Sequence, residues 1–111
     1  MVQRYKQGCV DVIQLDERAT IDELEEVQAE LDRVLHERLA QVVVDLRRVR
    51  LIDSAGLELL QDTQVRALRR GGAVRFAAAS PLLRDVFRVT GLDQEFAIHS
   101  DVATAAGAFA L

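Results

Sequence analysis

The residues best suited to chemistry lie together in the run Asp53-Ser54-Ala55-Gly56. The run follows an apolar segment and a short connection and opens a helical pattern, which puts Ser54 at or beside a helix N-cap. There the serine caps the helix, a contribution of about 1 kcal/mol, or it accepts a phosphate. A phosphate would meet unpaired backbone N–H groups and the positive end of the helix dipole. The residues alone leave both interpretations open.

Enzymatic alternatives find little support around this serine. Ser54 does not lie in the Gly-x-Ser-x-Gly run of a nucleophile elbow, and neither His36 nor His99 has a sequence context that places it near Ser54. One cysteine and two scattered histidines do not supply a metal site. We therefore expect no catalysis, no cofactor and no metal, and we expect Cys9 to pack as a small hydrophobic side chain in a strand.

Composition limits the possible partners and the compartment. The 111 residues are 50% hydrophobic and 29% charged, which suits one domain spanning 1–111. The net charge of −4 disfavours direct binding to nucleic acid, which requires a basic surface. We see no apolar run long enough for a membrane span and no signal peptide. Because a single cysteine cannot form an internal disulfide, we expect a cytoplasmic protein.

Hydrophobic periodicity predicts strands that alternate with helices. Strands are expected at 9–15, 42–46, 73–79 and 95–98, with a short strand at 2–6 beside the first. The four helices are expected at 20–38, from Ser54 to the Gly71-Gly72 stop, after Pro81 as far as Gly91, and at about 101–109. This order predicts the α/β class, with a mostly parallel central sheet of four to five strands and about four helices.

The first two of these helices have predicted buried and exposed faces. Thr20 and Glu23 fit a capping box for the first helix. Its apolar stripe comprises Ile21, Leu24, Val27, Leu31, Val34 and Leu35. In the second helix the core stripe comprises Leu57, Leu60, Ala67 and Leu68. Leu59 and Val65 point away from that stripe, so both are predicted to contact a partner protein.

The motif carries a family resemblance that extends over residues 8–110. The segments VVVDL (42–46) and LIDSAGLELL (51–60) resemble the signature of a STAS domain of the bacterial anti-sigma factor antagonist type. Upstream, VIQLDERATIDELEEVQAEL is similar to the first strand and helix of that family. Downstream, the Gly-Gly, Ser-Pro and Thr-Gly-Leu steps of residues 71–92 follow the family order. One departure is Glu17, which stands where the family commonly has glycine.

The resemblance implies a partner switch. The unmodified protein would bind an anti-sigma factor that is often a serine kinase, phosphorylation of Ser54 would release it, and a phosphatase of the PP2C type would reset it. Asp53 would position the loop, Gly56 would permit close approach of the kinase, and Asp22 would border the site. The remaining partner contacts would be Ala55, Glu58 and Leu59. The free protein is expected to be a monomer without membrane contact.

A second function is compatible with the same resemblance. Some STAS domains are accessory subunits of transporters or ligand-binding modules, and they use no phosphate switch. The same fold would serve either role, because a fold does not determine a function.

Overall fold

The computed structural model describes residues 2–36 and 40–110. Within these ranges the chain forms seven strands and four helices. In chain order they are β1 (Gln3–Gln7), β2 (Val10–Gln14), β3 (Arg18–Ala19), α1 (Leu24–Leu35), β4 (Gln41–Asp45), β5 (Leu51–Ile52), α2 (Ser54–Arg69), β6 (Ala73–Ala77), α3 (Pro81–Thr90), β7 (Ile98–His99) and α4 (Val102–Ala108). None of the described helices is long and apolar enough to cross a membrane.

Five strands form the main sheet, in the order β1-β2-β4-β6-β7. The last four run parallel, and β1 pairs antiparallel with β2 through a tight hairpin. Successive parallel strands are connected through helices, as right-handed crossovers require. The prediction of an α/β domain with a mostly parallel sheet is confirmed.

Both faces of the sheet are covered. Helices α1, α2 and α3 pack on one face, against residues that include Val42, Val44 and Phe76. Helix α4 packs on the other face, against Val12 and Val43. This two-sided cover explains why β4 reads as a continuous apolar run, since its alternate side chains enter two separate cores.

The first helix begins differently from the prediction. Residues Ile21–Glu23 form a 3-10 turn, and α1 follows from Leu24. The capping box is present: the Glu23 carboxylate accepts hydrogen bonds from the Thr20 N–H, at 3.3 Å, and from the Thr20 hydroxyl. Because Ile21 lies in this turn, it is 65% exposed instead of joining the core stripe. The predicted helix end at 37–38 lies outside the described residues.

The buried face of α2 is rotated from the predicted one. Its buried residues are Gly56, Leu59, Leu60, Thr63 and Ala67. Leu59 is only 6% exposed and Leu68 is 59% exposed, so both assignments from the sequence were wrong. The apolar wheel failed because a glycine and a threonine belong to the buried stripe. The Thr63 hydroxyl is satisfied there by donating to the Leu59 carbonyl at 2.7 Å.

Cys9 also departs from its prediction. It lies in the turn between β1 and β2 and is exposed, so it does not pack in a strand. The hairpin places it at the reversal of the chain, where neighbouring Gly8 adopts a positive φ of 62°.

Substitution of Leu59 tests the revised face of α2. Leu59→Glu should lower the free energy of unfolding by about 3 kcal/mol or more, because it buries an unpaired charge. Leu68→Glu is the matched control on the same helix and should change it by no more than about 0.5 kcal/mol. Urea denaturation of both variants measures the difference. Equal free energies of unfolding for the two variants would show that Leu59 is exposed and not buried.

Candidate functional site

Two loops meet beyond the carboxyl ends of β2 and β4. The first carries β3 and the second carries β5, and these two short strands pair in parallel as Arg18↔Leu51 and Ala19↔Ile52. The Glu17 carbonyl extends the contact by accepting from the N–H groups of Arg50, at 2.7 Å, and Leu51, at 3.1 Å. The loop that leads to Ser54 is therefore fixed to the loop that leads to α1. Ligands of open α/β sheets characteristically bind at this edge.

The Asp53 carboxylate joins the two helix starts at this edge. Its Oδ1 accepts from the Gly56 N–H at 2.9 Å, which makes Asp53 the N-cap of α2. Its Oδ2 accepts from the Ile21 N–H at 3.0 Å, at the start of the 3-10 turn. Both bonds lower the pKa of Asp53 below its ordinary value, because they favour the ionised form. The bond from the Ile21 N–H has the larger effect and the bond from the Gly56 N–H the smaller.

Glu23 holds the first loop in a similar way. Its carboxylate bonds to Thr20 and forms an ion pair with Arg18, whose Nε is 3.2 Å away. The hydrogen bond from the Thr20 side chain is the main reason that the pKa of Glu23 is lowered. The turn that contains Asp22 is therefore anchored on both sides.

Ser54 is the first residue of α2 and is exposed. Because Asp53 caps the helix, the interpretation of Ser54 as the cap is wrong. Among residues 2–36 and 40–110, none forms a hydrogen bond with the Ser54 hydroxyl. The structure therefore gives this hydroxyl no task in the fold and presents it to solvent.

Gly56 is buried against two other residues of this protein, Ala19 and Ile52. A Cβ at this position would lie 2.0 Å from the Ala19 carbonyl oxygen and 2.8 Å from Cγ1 of Ile52. The expectation that Gly56 lets a kinase approach is therefore wrong. The backbone that approaches it belongs to β3, and the glycine permits the two loops to close on α2.

The other predicted site residues surround a groove between α1 and α2. Its lining includes Ile21, Leu24, Gln28, Ala55, Glu58, Leu59 and Asp62. Asp22 is exposed in the adjoining turn, so the structure brings Asp22, Ala55 and Glu58 to the same end of the molecule as Ser54. Leu59 contributes only to the floor of this groove. Sequence reasoning missed Ile21, although its place directly after the cap residue Thr20 was a usable signal.

The acidic residues of this groove do not form a metal site. Within the described ranges, no group of three or more His, Cys, Asp or Glu side chains could hold a metal ion. The arrangement offers an exposed nucleophilic hydroxyl with acidic neighbours, which suits a modification site on a docking surface.

Comparison with known proteins establishes the family. The family model described as "Mlab, STAS domain" matches residues 2–100, and the chain belongs to the STAS domain family. No curated protein sequence matches the chain at a significant level.

Solved structures agree with this assignment. An anti-sigma-factor antagonist STAS domain protein from Planctomyces limnophilus is 23% identical, with a TM-score of 0.90 over 99% of this chain and 98% of that one. The Bacillus cell fate determinant SpoIIAA in its phosphorylated form is 19% identical, with a TM-score of 0.76 over 98% and 99%. The murine anion transporter Slc26a9 is 12% identical, with a TM-score of 0.78 over 96% of this chain and 18% of the transporter. These likenesses show a shared fold.

Replacing Asp53 with asparagine tests its double contact. The asparagine side chain would offer one acceptor oxygen in place of two, so Asp53→Asn should lower the melting temperature at about pH 7. Since the pKa of Asp53 is lowered in the fold, its contribution is present above the ordinary value of 3.8 and is lost as the pH falls through the folded pKa.

The gap in melting temperature between wild type and Asp53→Asn should therefore narrow from about pH 7 to about pH 3. Asp62→Asn serves as the control, because Asp62 lies in the middle of α2 and caps no helix. A gap that stays constant over this range would contradict the double contact.

Gly56→Ala tests the closure of the loops on α2. The clash with the Ala19 carbonyl should lower the free energy of unfolding by about 1–3 kcal/mol. Gly107→Ala in α4 is the matched control, since nothing lies within 4 Å of the added Cβ; it should raise stability by about 0.5–1 kcal/mol. Denaturation midpoints measure both. A gain in stability for both variants would contradict the close approach of the Ala19 carbonyl to Gly56.

Proposed function

We propose that this chain is an anti-sigma factor antagonist that binds an anti-sigma factor and is inactivated by phosphorylation of Ser54. The observation that carries the proposal is the exposed Ser54 hydroxyl, which has no hydrogen bond to the described residues while Asp53 caps the helix. The likeness to SpoIIAA in its phosphorylated form supports it. Modification of a hydroxyl that forms no hydrogen bond within the fold does not lower the stability of that fold.

The modification changes charge at one point. A kinase transfers the γ-phosphoryl group of ATP to Oγ of Ser54, ADP leaves, and the hydroxyl proton passes to a base of the kinase. The product carries about −1.5 to −2 charge at neutral pH. It lies directly after Asp53, on a protein whose net charge is already −4.

The start of α2 has limited capacity to neutralise this charge. The Gly56 N–H is bonded to the Asp53 side chain at 2.9 Å, and the Leu57 N–H is bonded to the Asp53 carbonyl at 3.0 Å. A phosphate on Ser54 would therefore share the helix end with an existing carboxylate. In water this repulsion is screened. Within a packed interface an unpaired dianion costs several kcal/mol.

This difference is enough for a switch. A penalty of about 3–4 kcal/mol weakens binding by about 10²–10³-fold, without any conformational change. Asp22, Ala55 and Glu58 would lie inside the partner footprint, because they share the Ser54 end of the molecule. A phosphatase, of the PP2C type, would restore the binding form.

We further propose that the site binds and does not catalyse. Nε2 of His99 lies 3.1 Å from a guanidinium nitrogen of Arg75 on the neighbouring strand, and His36 follows the last residue of α1. No hydrogen bond joins either histidine to Ser54 among the described residues, so a base to activate the serine would come from the kinase. We place the protein in the cytoplasm, as a monomer when free and without direct contact to nucleic acid.

A second candidate is an accessory subunit of a transporter. The murine anion transporter Slc26a9 contains a domain of this fold. In that role the Ser54 end would dock permanently, and no phosphate would be needed. The identity of the bound partner separates the two functions.

The two functions predict different behaviour of Ser54 variants. Tagged Ser54→Ala protein, expressed in its native cell, should retain an anti-sigma factor with kinase activity. Calorimetry with that purified partner should give wild-type affinity for Ser54→Ala and at least about tenfold weaker binding for Ser54→Asp. Both variants should melt at the wild-type temperature. Equal affinities, or retention of a transporter subunit, would contradict the switch.

A further inference from the structure

Helix α3 is apolar on two sides. Leu83 and Phe87 are buried in the core, as expected for a helix that packs on the sheet. Leu82 is 66% exposed and Val89 is 82% exposed, and Val86 between them is partly buried. The spacing 82, 86, 89 places these three side chains on one helix face. This face has no partner among the described residues.

The exposed face continues into a groove between α3 and the loop that leads to Ser54. The groove is lined by Val49, Arg50, Leu51, Ile52, Ser80, Leu82, Leu83 and Val86. Leu51 and Ile52 form β5, which is followed directly by Asp53 and Ser54. The groove is therefore continuous with the surface that carries Ser54.

Among the described residues that line this groove, the charged one is Arg50. Arg47, Arg48 and Arg50 occupy the connection between β4 and β5. Arg48 pairs with Asp16 at 3.4 Å, whereas the exposed Arg47 and Arg50 side chains form no ion pair with a described residue. A ligand in the groove would meet the guanidinium group of Arg50, because Arg50 lines the groove.

The opposite side of Ser54 is acidic. The groove between α1 and α2 carries Glu58 and Asp62, with Asp22 in the adjoining turn. Two apolar surfaces with opposite charge therefore flank the same serine. A binding segment that carries carboxylates is attracted to the α3 side and repelled from the α1 side.

We propose that the groove between β5 and α3 binds an amphipathic helix of the anti-sigma factor, with an apolar stripe and flanking carboxylates. The proposal rests on the proposed function, and it extends the partner's footprint from the Ser54 end of the molecule to the α3 side. The ten residues of α3 are about 15 Å long, which accommodates about three turns of a partner helix. Alternate apolar side chains of that helix would fill the groove, and a carboxylate on its flank would pair with Arg50.

A lipid surface is the less favoured occupant. The surface is concave, and the acidic groove next to it would repel an anionic membrane. The net charge of −4 adds to this repulsion.

Two model peptides test the groove directly. Each is a helical peptide of about 14 residues with leucines at i, i+4, i+7 and i+11; one carries glutamate on the flanks and its twin carries lysine. In a titration followed by NMR of the ¹⁵N-labelled full chain, the glutamate peptide should shift the amide signals of Leu51, Leu82, Val86 and Val89. It should bind at least about tenfold more tightly than the lysine peptide at low salt.

Matched variants locate the binding. Leu82→Glu should weaken binding of the glutamate peptide by at least about tenfold. Leu68→Glu, at a residue of similar exposure (59%) near the far end of α2, should leave its affinity unchanged. Arg50→Glu should reduce the preference for the glutamate peptide.

Several outcomes would overturn the proposal: shifts centred on the α1–α2 groove, equal binding of both peptides, or no binding up to about 1 mM. Binding of the protein to phosphatidylglycerol vesicles that is abolished by Leu82→Glu would assign the groove to a membrane instead. The assay contains no phosphate, so its failure leaves the Ser54 switch standing. Equal affinities of Ser54→Ala and Ser54→Asp for the anti-sigma factor would contradict the switch without affecting the peptide result.

Discussion

The Asp53 carboxylate is the contact on which the rest of the site depends. Its two oxygens accept from the first turn of α2 and from the turn before α1, at 2.9 Å and 3.0 Å. Further contacts between the two loops are the short ladder between β3 and β5, the bonds to the Glu17 carbonyl, the Arg48–Asp16 ion pair and the approach at Gly56. Because Asp53 caps the helix, the Ser54 hydroxyl is not needed as a cap. The stability of the fold and the proposed switch thus depend on two neighbouring residues, Asp53 and Ser54.

This division favours a switch that works by charge and not by shape. The backbone around Ser54 is fixed on several sides, by the Asp53 bonds, the Glu17 carbonyl and the contact of Gly56 with Ala19. The proposed phosphorylation of Ser54 would therefore leave the shape of the surrounding surface unchanged. The surface itself is asymmetric, with Arg50 on the α3 side and the carboxylates of Glu58 and Asp62 on the α1 side. Such asymmetry orients a partner before close contact is made.

The sequence predicted the architecture well because the architecture depends on local patterns. The apolar run of β4, the Ser80-Pro81 start of α3 and the Gly91 stop, with its φ of 80°, are each local signals. The motif also placed Ser54 correctly at the start of α2. The parts that sequence reasoning missed depend on tertiary contacts. The pairing of β3 with β5 involves only two residues in each strand, which is too short for any periodicity.

The errors on α2 have the same origin. A wheel drawn from apolar residues alone omitted Thr63 and Gly56 from the buried stripe, so it placed Leu59 outside and Leu68 inside. Thr63 is compatible with burial because its hydroxyl bonds to the preceding turn. The close approach of Ala19 to Gly56 could not be predicted, because these residues are far apart in sequence. The second contact of Asp53, with Ile21, spans a similar separation.

Mass spectrometry of the protein from its native cell is the decisive measurement for the charge switch at Ser54. The protein is separated into a fraction bound to its partner and a free fraction, and phosphate is measured at each serine. We expect phosphate on Ser54, concentrated in the free fraction, and none on the helix-capping Ser80. An unmodified Ser54 under every growth condition, or equal phosphate in both fractions, would contradict the switch.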